Sequence, residues 1–84
     1  MLDIMSALLY IPSVPRKLNN RLRVARAERN LSQDQLARMA GVTRQTISSL
    51  ETGLYSPSAL LAFTLAEQLG KRVDELFFLE GEPS

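Results

Sequence analysis

Ser32-Gln33-Asp34-Gln35-Leu36-Ala37-Arg38-Met39-Ala40-Gly41-Val42-Thr43-Arg44-Gln45-Thr46-Ile47-Ser48-Ser49-Leu50-Glu51-Thr52-Gly53 carries the densest set of helix start and stop signals in the chain. Ser32 and Gln35 have the S-x-x-Q spacing of a capping box, and Leu31 and Leu36 stand at the hydrophobic-staple positions on either side of it. Gly41 closes the helix so begun, because glycine takes the left-handed conformation without a Cβ clash. Only Val42 separates it from Thr43, a favourable N-cap, and Val42 with Ile47 repeats the staple. The spacing therefore predicts a second helix over residues 44–52, stopped at Gly53.

Ala37, Val42, Ile47 and Leu50 form the apolar seam between these two short helices, which gives a helix-turn-helix pattern. Upstream, residues 19–29 place Leu22, Ala25 and Arg26 at helical spacing with an Asn before the run as cap, and Asn30 and Leu31 mark the exit. Downstream, Ser56 as cap and Pro57 at the first helical position predict a fourth helix, with Leu61, Leu65, Ala66 and Leu69 as its stripe and Gly70 as its end. A last short helix is expected over residues 73–78, acidic in its first turn through Asp74 and Glu75. The expected organisation is an arm over residues 1–17, one all-α domain of five helices over 18–80, and a frayed tail over 81–84.

Charge is distributed unevenly along this plan. Lys and Arg number 10 against 9 Asp and Glu, a net +1. Residues 16–50, however, carry eight basic residues against Glu28 and Asp34, a net +6, and residues 51–84 carry Lys71 and Arg72 against six acids, a net −4. A basic half followed by an acidic half suits a binder of nucleic acid or another anionic surface. The absence of both Cys and His removes disulfides, Cys/His metal sites, thiol nucleophiles and the usual general base. No paired-carboxylate or glycine-rich phosphate motif appears, so neither an enzyme nor a cofactor is expected.

The arm is too short in its apolar run to span a bilayer, and Asp3 stands where a signal peptide would carry positive charge. It reads as part of a cytoplasmic, non-membrane protein. Leu8, Leu9, Tyr10 and Ile11 are four consecutive large apolar residues, costly to leave in water. A loosely packed tail and a dimerisation arm both fit them, and Phe77 and Leu79 are further candidates for a dimer contact.

With Ile47 and Leu50 facing inward, the third helix turns Arg44, Gln45, Ser48, Ser49 and Thr52 outward. Arg can donate two hydrogen bonds to guanine O6 and N7, and Gln can pair with adenine N6 and N7. Small serines allow the helix backbone to sit deep in a major groove. A solvated polar face is the plain alternative; its place on the second helix of the pair, inside the basic half, favours base reading. Helix starts at residues 33, 44 and 57 also aim free N–H groups at anions.

The blocks Ser32-Gln33-Asp34-Gln35-Leu36-Ala37, Ala40-Gly41-Val42-Thr43-Arg44-Gln45-Thr46-Ile47-Ser48 and Leu50-Glu51-Thr52-Gly53 resemble the Cro/C1-type (Xre-like) helix-turn-helix regulators. Tyr55-Ser56-Pro57-Ser58 and Glu75-Leu76-Phe77 extend the likeness over residues 18–80, toward compact bacterial repressors. The resemblance implies a five-helix, lambda-repressor-like domain that binds double-stranded DNA as a homodimer. It implies base contacts from Arg44, Gln45 and Ser49, with Thr46 and Ser48 as secondary contacts. It further implies phosphate contacts from Ser32, Gln33, Thr43 and Thr52, joined by Ser56 at its expected helix start, with Gln33 also buttressing the start of the recognition helix. Arg26 and Glu51 match positions that form a structural ion pair.

Three positions depart from that pattern. Leu54 stands where a basic residue is common, Met39 where a charged one is, and the arm precedes the usual start of compact members. A second functional reading is an antitoxin of the same fold, with a toxin as protein partner and autoregulatory DNA binding.

Overall fold

The structure, a computed structural model, describes residues 17–80. Leu8, Leu9, Tyr10 and Ile11, with the rest of the arm before Lys17, and the tail over 81–84 lie outside the described residues. Chain order is β1 (Lys17–Asn20), α1 (Leu22–Glu28), α2 (Gln33–Ala40), α3 (Arg44–Glu51), α4 (Ala59–Leu69), α5 (Val73–Leu76) and β2 (Phe77–Glu80). The five helices are those expected, and a two-stranded antiparallel sheet joins the two ends of the domain.

The local signals around α2 and α3 act as the spacing predicts. Ser32 Oγ accepts from the Gln35 N–H at 3.0 Å, and the Ser32 N–H donates to Gln35 Oε1 at 2.8 Å, completing the capping box. Gly41 closes α2 at φ 73°, and Thr43 caps α3. Leu36, Ala37, Ile47 and Leu50 are buried, with Val42 half-buried against them in the turn.

Three boundaries differ from expectation. Residues 17–20 form a strand, although the spacing predicts a helix from 19. Asn20 turns the chain: its Oδ1 accepts from the Leu22 N–H at 3.1 Å and its Nδ2 donates to the Leu50 carbonyl at 2.8 Å, tying β1 to both α1 and α3. The last helix ends at Leu76 rather than 78, and β2 pairs with β1 in the register Lys17↔Glu80, Leu18↔Leu79, Asn19↔Phe78 and Asn20↔Phe77. Extended backbone suits the run of large apolar residues there and sends successive side chains to opposite faces. Phe77 thereby enters the core, 8% exposed, with an edge on the groove between α4, α5 and the strands, while Phe78 turns the other way beneath the Arg21 guanidinium, 4.3 Å from its ring centroid.

The third difference concerns α4. Ser58, not Ser56, supplies its cap, accepting from the Leu61 N–H at 3.1 Å, and the helix begins at Ala59. Pro57 therefore stands before the cap, where its missing donor is not needed, and Ser56 is not at a helix start. Residues from all five helices and β2 meet in one core, with Leu22, Leu36, Ile47, Leu50, Leu65, Leu69 and Leu76 fully enclosed. Burying each such side chain contributes roughly 1.5–3 kcal/mol. Among the described residues no helix is long and apolar enough to cross a membrane.

Candidate nucleic-acid interface

α3 presents its outer face because both of its ends are fixed. At the start, Thr43 is extended and its Oγ1 accepts from the Thr46 N–H at 3.2 Å, while the two threonine hydroxyls lie 3.0 Å apart. With Ile47 and Leu50 turned into the core, Arg44, Gln45 and Thr52 are exposed, and Ser48 and Ser49 are half-buried on the same side. Thr46 is half-buried at the edge of this face, its hydroxyl shared with the cap. Gln45 Nε2 donates to Ser49 Oγ one turn on at 3.3 Å, laying the carboxamide along the face. Thr52 Oγ1 turns back to the carbonyls of Ser48 and Ser49, at 3.0 and 3.3 Å, and so closes the last turn.

The N-terminus of α2 lies beside that of α3. Ser32, Gln33 and Asp34 share an open polar cleft with Arg26 and Arg44, so two helix starts converge on one surface. Unpaired N–H groups and the helix dipole make such a surface receptive to anions. Gln33 shares that cleft with Arg44 at the start of α3, and its Nε2 donates to Glu51 Oε1 at 3.2 Å, at the last residue of the helix.

Glu51 is the anchor of the arrangement. Its carboxylate is 1% exposed and receives a two-pronged contact from Arg26, Nε to Oε2 at 2.8 Å and Nη2 to Oε1 at 3.1 Å. Arg26 Nη1 also donates to the Leu31 carbonyl at 2.8 Å, so one guanidinium joins α1, the α1–α2 turn and α3. Arg23 Nε stands 3.7 Å from Glu51 Oε1. Burial pushes the Glu51 carboxyl up, but hydrogen bonds from Arg26 and Gln33 and the charges of Arg26 and Arg23 outweigh it and hold the group below its usual range. The same hydrogen bond raises Arg26, against the opposing effect of its burial, and the Glu51 charge adds to the rise. The ion pair thus fixes the C-terminal end of α3 as Thr43 fixes its start.

The other cations are partly committed. Arg38 pairs with Asp34 at 2.6 Å, Arg29 donates to the Gln68 carbonyl at 3.2 Å, and Lys71 pairs with Glu28 at 3.2 Å. Arg44 makes no ion pair among the described residues and stands at the leading end of the exposed face. Two elements of this site escape sequence reading. Asn20 holds the last turn of α3 through Leu50, a role carried by a side chain 30 positions away, and the Arg26 contact to Leu31 depends on how the turn folds back. Leu54, beyond α3, is 81% exposed, and Met39 is exposed on α2.

Residues 22–76 match the family model described as Helix-turn-helix. An uncharacterized HTH-type transcriptional regulator of Methanocaldococcus jannaschii is 42% identical over 65 residues, covering 77% of this chain and 98% of its own. Another, of Methanothermobacter thermautotrophicus, is 47% identical over 60 residues, covering 70% of this chain and 87% of its own. Among solved structures, the restriction-modification controller protein C.AhdI of Aeromonas hydrophila superposes with a TM-score of 0.61 at 31% identity, over 64% of this chain and 82% of that one. With two capped helices meeting at a glycine turn and an outward polar face on the second, this chain belongs to the Cro/C1-type helix-turn-helix family of transcriptional regulators.

Proposed function

We propose that this regulator, a family member rather than an enzyme, is a repressor that binds a pseudo-palindromic operator in double-stranded DNA as a homodimer in the cytoplasm. The observation that carries the reading is the exposed face of α3, polar throughout, held at both ends and set in the basic half of the chain. Arg44, Gln45 and Ser49 read base edges in the major groove, with Thr46 and Ser48 as secondary contacts. Ser32, Gln33 and Thr43 hold phosphates around the two converging helix starts, and Thr52 holds one at the far end of α3. Ser56 drops out of the helix-start argument and keeps only its position on the exposed loop beside Tyr55. Two copies place their recognition helices about 34 Å apart, one helical turn of DNA, and occlude the promoter.

Selection of bound sequences from a randomised duplex library tests this. The expected result is an inverted repeat with half-site centres about 10 base pairs apart. Recovery of no common sequence, or of a single unrepeated half-site, overturns the reading.

A further inference from the structure

α4 carries large apolar side chains on two sides. Leu61, Leu65 and Leu69 face the core, while Leu60 and Phe63 stand on the outer side, 80% and 65% exposed. The last turns of α4 are polar outside through Glu67 and Gln68, so the exposed apolar surface is concentrated in the first half of the helix, where an amphipathic helix would carry polar residues. Val24 on α1 and Met39 on α2 are single exposed apolar residues, at 56% and 38%, whereas α4 exposes two large ones a turn apart, so α4 is the helix with a face in need of a cover.

The sheet shows the same need. Alternate residues of a strand share a face, so Leu18 and its partner Leu79 stand on the face by which Asn20 and Phe77 meet the core. Phe77 is buried and Asn20 reaches the Leu50 carbonyl, yet Leu18 and Leu79 remain 37% and 54% exposed. The core-side row of the sheet runs past the end of the core. There Leu18, Leu79 and Phe63 line one open groove between α4, α5 and the strands, rimmed by Glu67, Lys71, Arg72 and Asp74.

We infer that Leu60, Phe63, Leu18 and Leu79 form the contact by which a second copy of this chain docks about a two-fold axis; this rests on the homodimer reading and gives it a location. A two-fold contact requires a surface complementary to itself. The rim meets that condition, with two acids and two bases and no net charge, whereas the half that carries α1 to α3 is strongly basic and repels its copy. Taking roughly 200 Å² for a fully exposed large apolar side chain, the four residues offer roughly 450 Å² per copy. Two copies with their charged rims reach the roughly 1,000 Å² in total that a specific interface needs. The groove has no residue from α2 or α3, and Leu60, one turn before Phe63, borders a neighbouring cleft with Ala40, Gly41 and Val42, none of which stands on the outward face of α3, so the contact leaves the recognition face free.

Sedimentation equilibrium of the full chain tests the assignment, with Phe63→Glu and Leu79→Asp as variants and Leu54→Asp as an exposed control outside the groove. Both target side chains are solvent-exposed in the single copy, so helicity by far-ultraviolet circular dichroism is expected to be unchanged. The wild type and the control are expected to dimerise, and each groove variant to weaken self-association at least 100-fold. Groove variants that dimerise as tightly as the wild type overturn the location and leave the homodimer reading standing. A wild type that is monomeric both free and on its selected operator overturns both. Deletion of residues 1–14 is expected to leave the dimer intact; its loss, with Phe63→Glu still dimeric, assigns the contact to the arm and overturns the proposal. Mixed-label wild type gives a readout independent of any variant: intermolecular NOEs are expected at Leu60, Phe63 and Leu79, and a dimer with none there overturns the location.

Discussion

Arg44 and Gln45 differ in how they are prepared for recognition. Gln45 is tied to Ser49 along the helix face, whereas Arg44 has no ion-pair partner among the described residues. Replacing either by alanine removes no core packing, so thermal stability is expected to hold within about 0.5 kcal/mol. Preference at a single operator position is expected to relax by about 1–3 kcal/mol for each variant, read by competition binding against single-base operator changes. Glu51 behaves oppositely, because its side chain is enclosed. Arg26→Met leaves that carboxylate facing only Gln33 and Arg23, and a loss of about 3–5 kcal/mol of folding stability is expected in urea titration. The pH dependence follows from the lowered folded-state value of Glu51. Its contribution is fully present above the unfolded value of 4.5 and is lost as pH falls through the still lower folded value. Glu51→Gln is therefore expected to flatten the acid limb of the stability curve below about pH 4.5, with little change in its slope between pH 6 and 8.

At the scale of elements, the turn between α2 and α3 is set by Gly41 and Thr43. A Cβ added at Gly41 meets nothing within 4 Å, so the penalty there is conformational alone. Gly41→Ala is expected to cost about 1–2 kcal/mol from the left-handed φ, and Thr43→Ala about 1 kcal/mol from removal of the cap. Their melting temperatures and that of the double variant check this; the two residues share one turn, so additivity is not expected. The helix-turn-helix unit was legible because each of its signals acts within four residues: capping box, staple, glycine stop, second cap. The ends of the domain were not. Asn19 and Phe78 satisfy a helical pattern locally and become strand because β1 and β2 find each other across the whole domain, 59 positions apart at Asn19↔Phe78. Ser56 and Ser58 flank the same proline; the spacing points to Ser56 as the cap, whereas the structure uses Ser58.

For the whole molecule, the uneven charge gives a test of how binding is driven. Several of the eight basic residues in 16–50 are engaged elsewhere: Arg26 with Glu51, Arg38 with Asp34, Arg29 with the Gln68 carbonyl. Helix starts and hydroxyls at the converging ends of α2 and α3 then carry much of the phosphate binding alongside Arg44. A dimer neutralising six to eight phosphates is expected to show a log–log salt slope of roughly −5 to −8, measured by fluorescence anisotropy on the selected operator. Arg44→Ala is expected to reduce that slope by about one unit for each phosphate that goes unneutralised, in addition to its effect on base preference. A slope near zero would point to a partner other than DNA.

Features whose cause is local follow from the order of residues. Ser32, Gln35, Gly41 and Thr43 set the boundaries of α2 and α3 through bonds spanning a few residues, and the placement of Ile47 and Leu50 at helical spacing left Arg44, Gln45, Ser48 and Ser49 facing outward. Features that need distant parts of the chain to meet emerge only on folding. The conversion of residues 17–20 and 77–80 into paired strands, the enclosure of Phe77, and the anchoring of α3 by Asn20 and Gln33 all depend on contacts whose partners are 18 to 63 positions apart. The same is true of the apolar face made by Leu18, Leu79 and Phe63. A strand pairs through backbone groups common to every residue, and burial depends on what packs above a side chain, so neither is written in the spacing of residues alone.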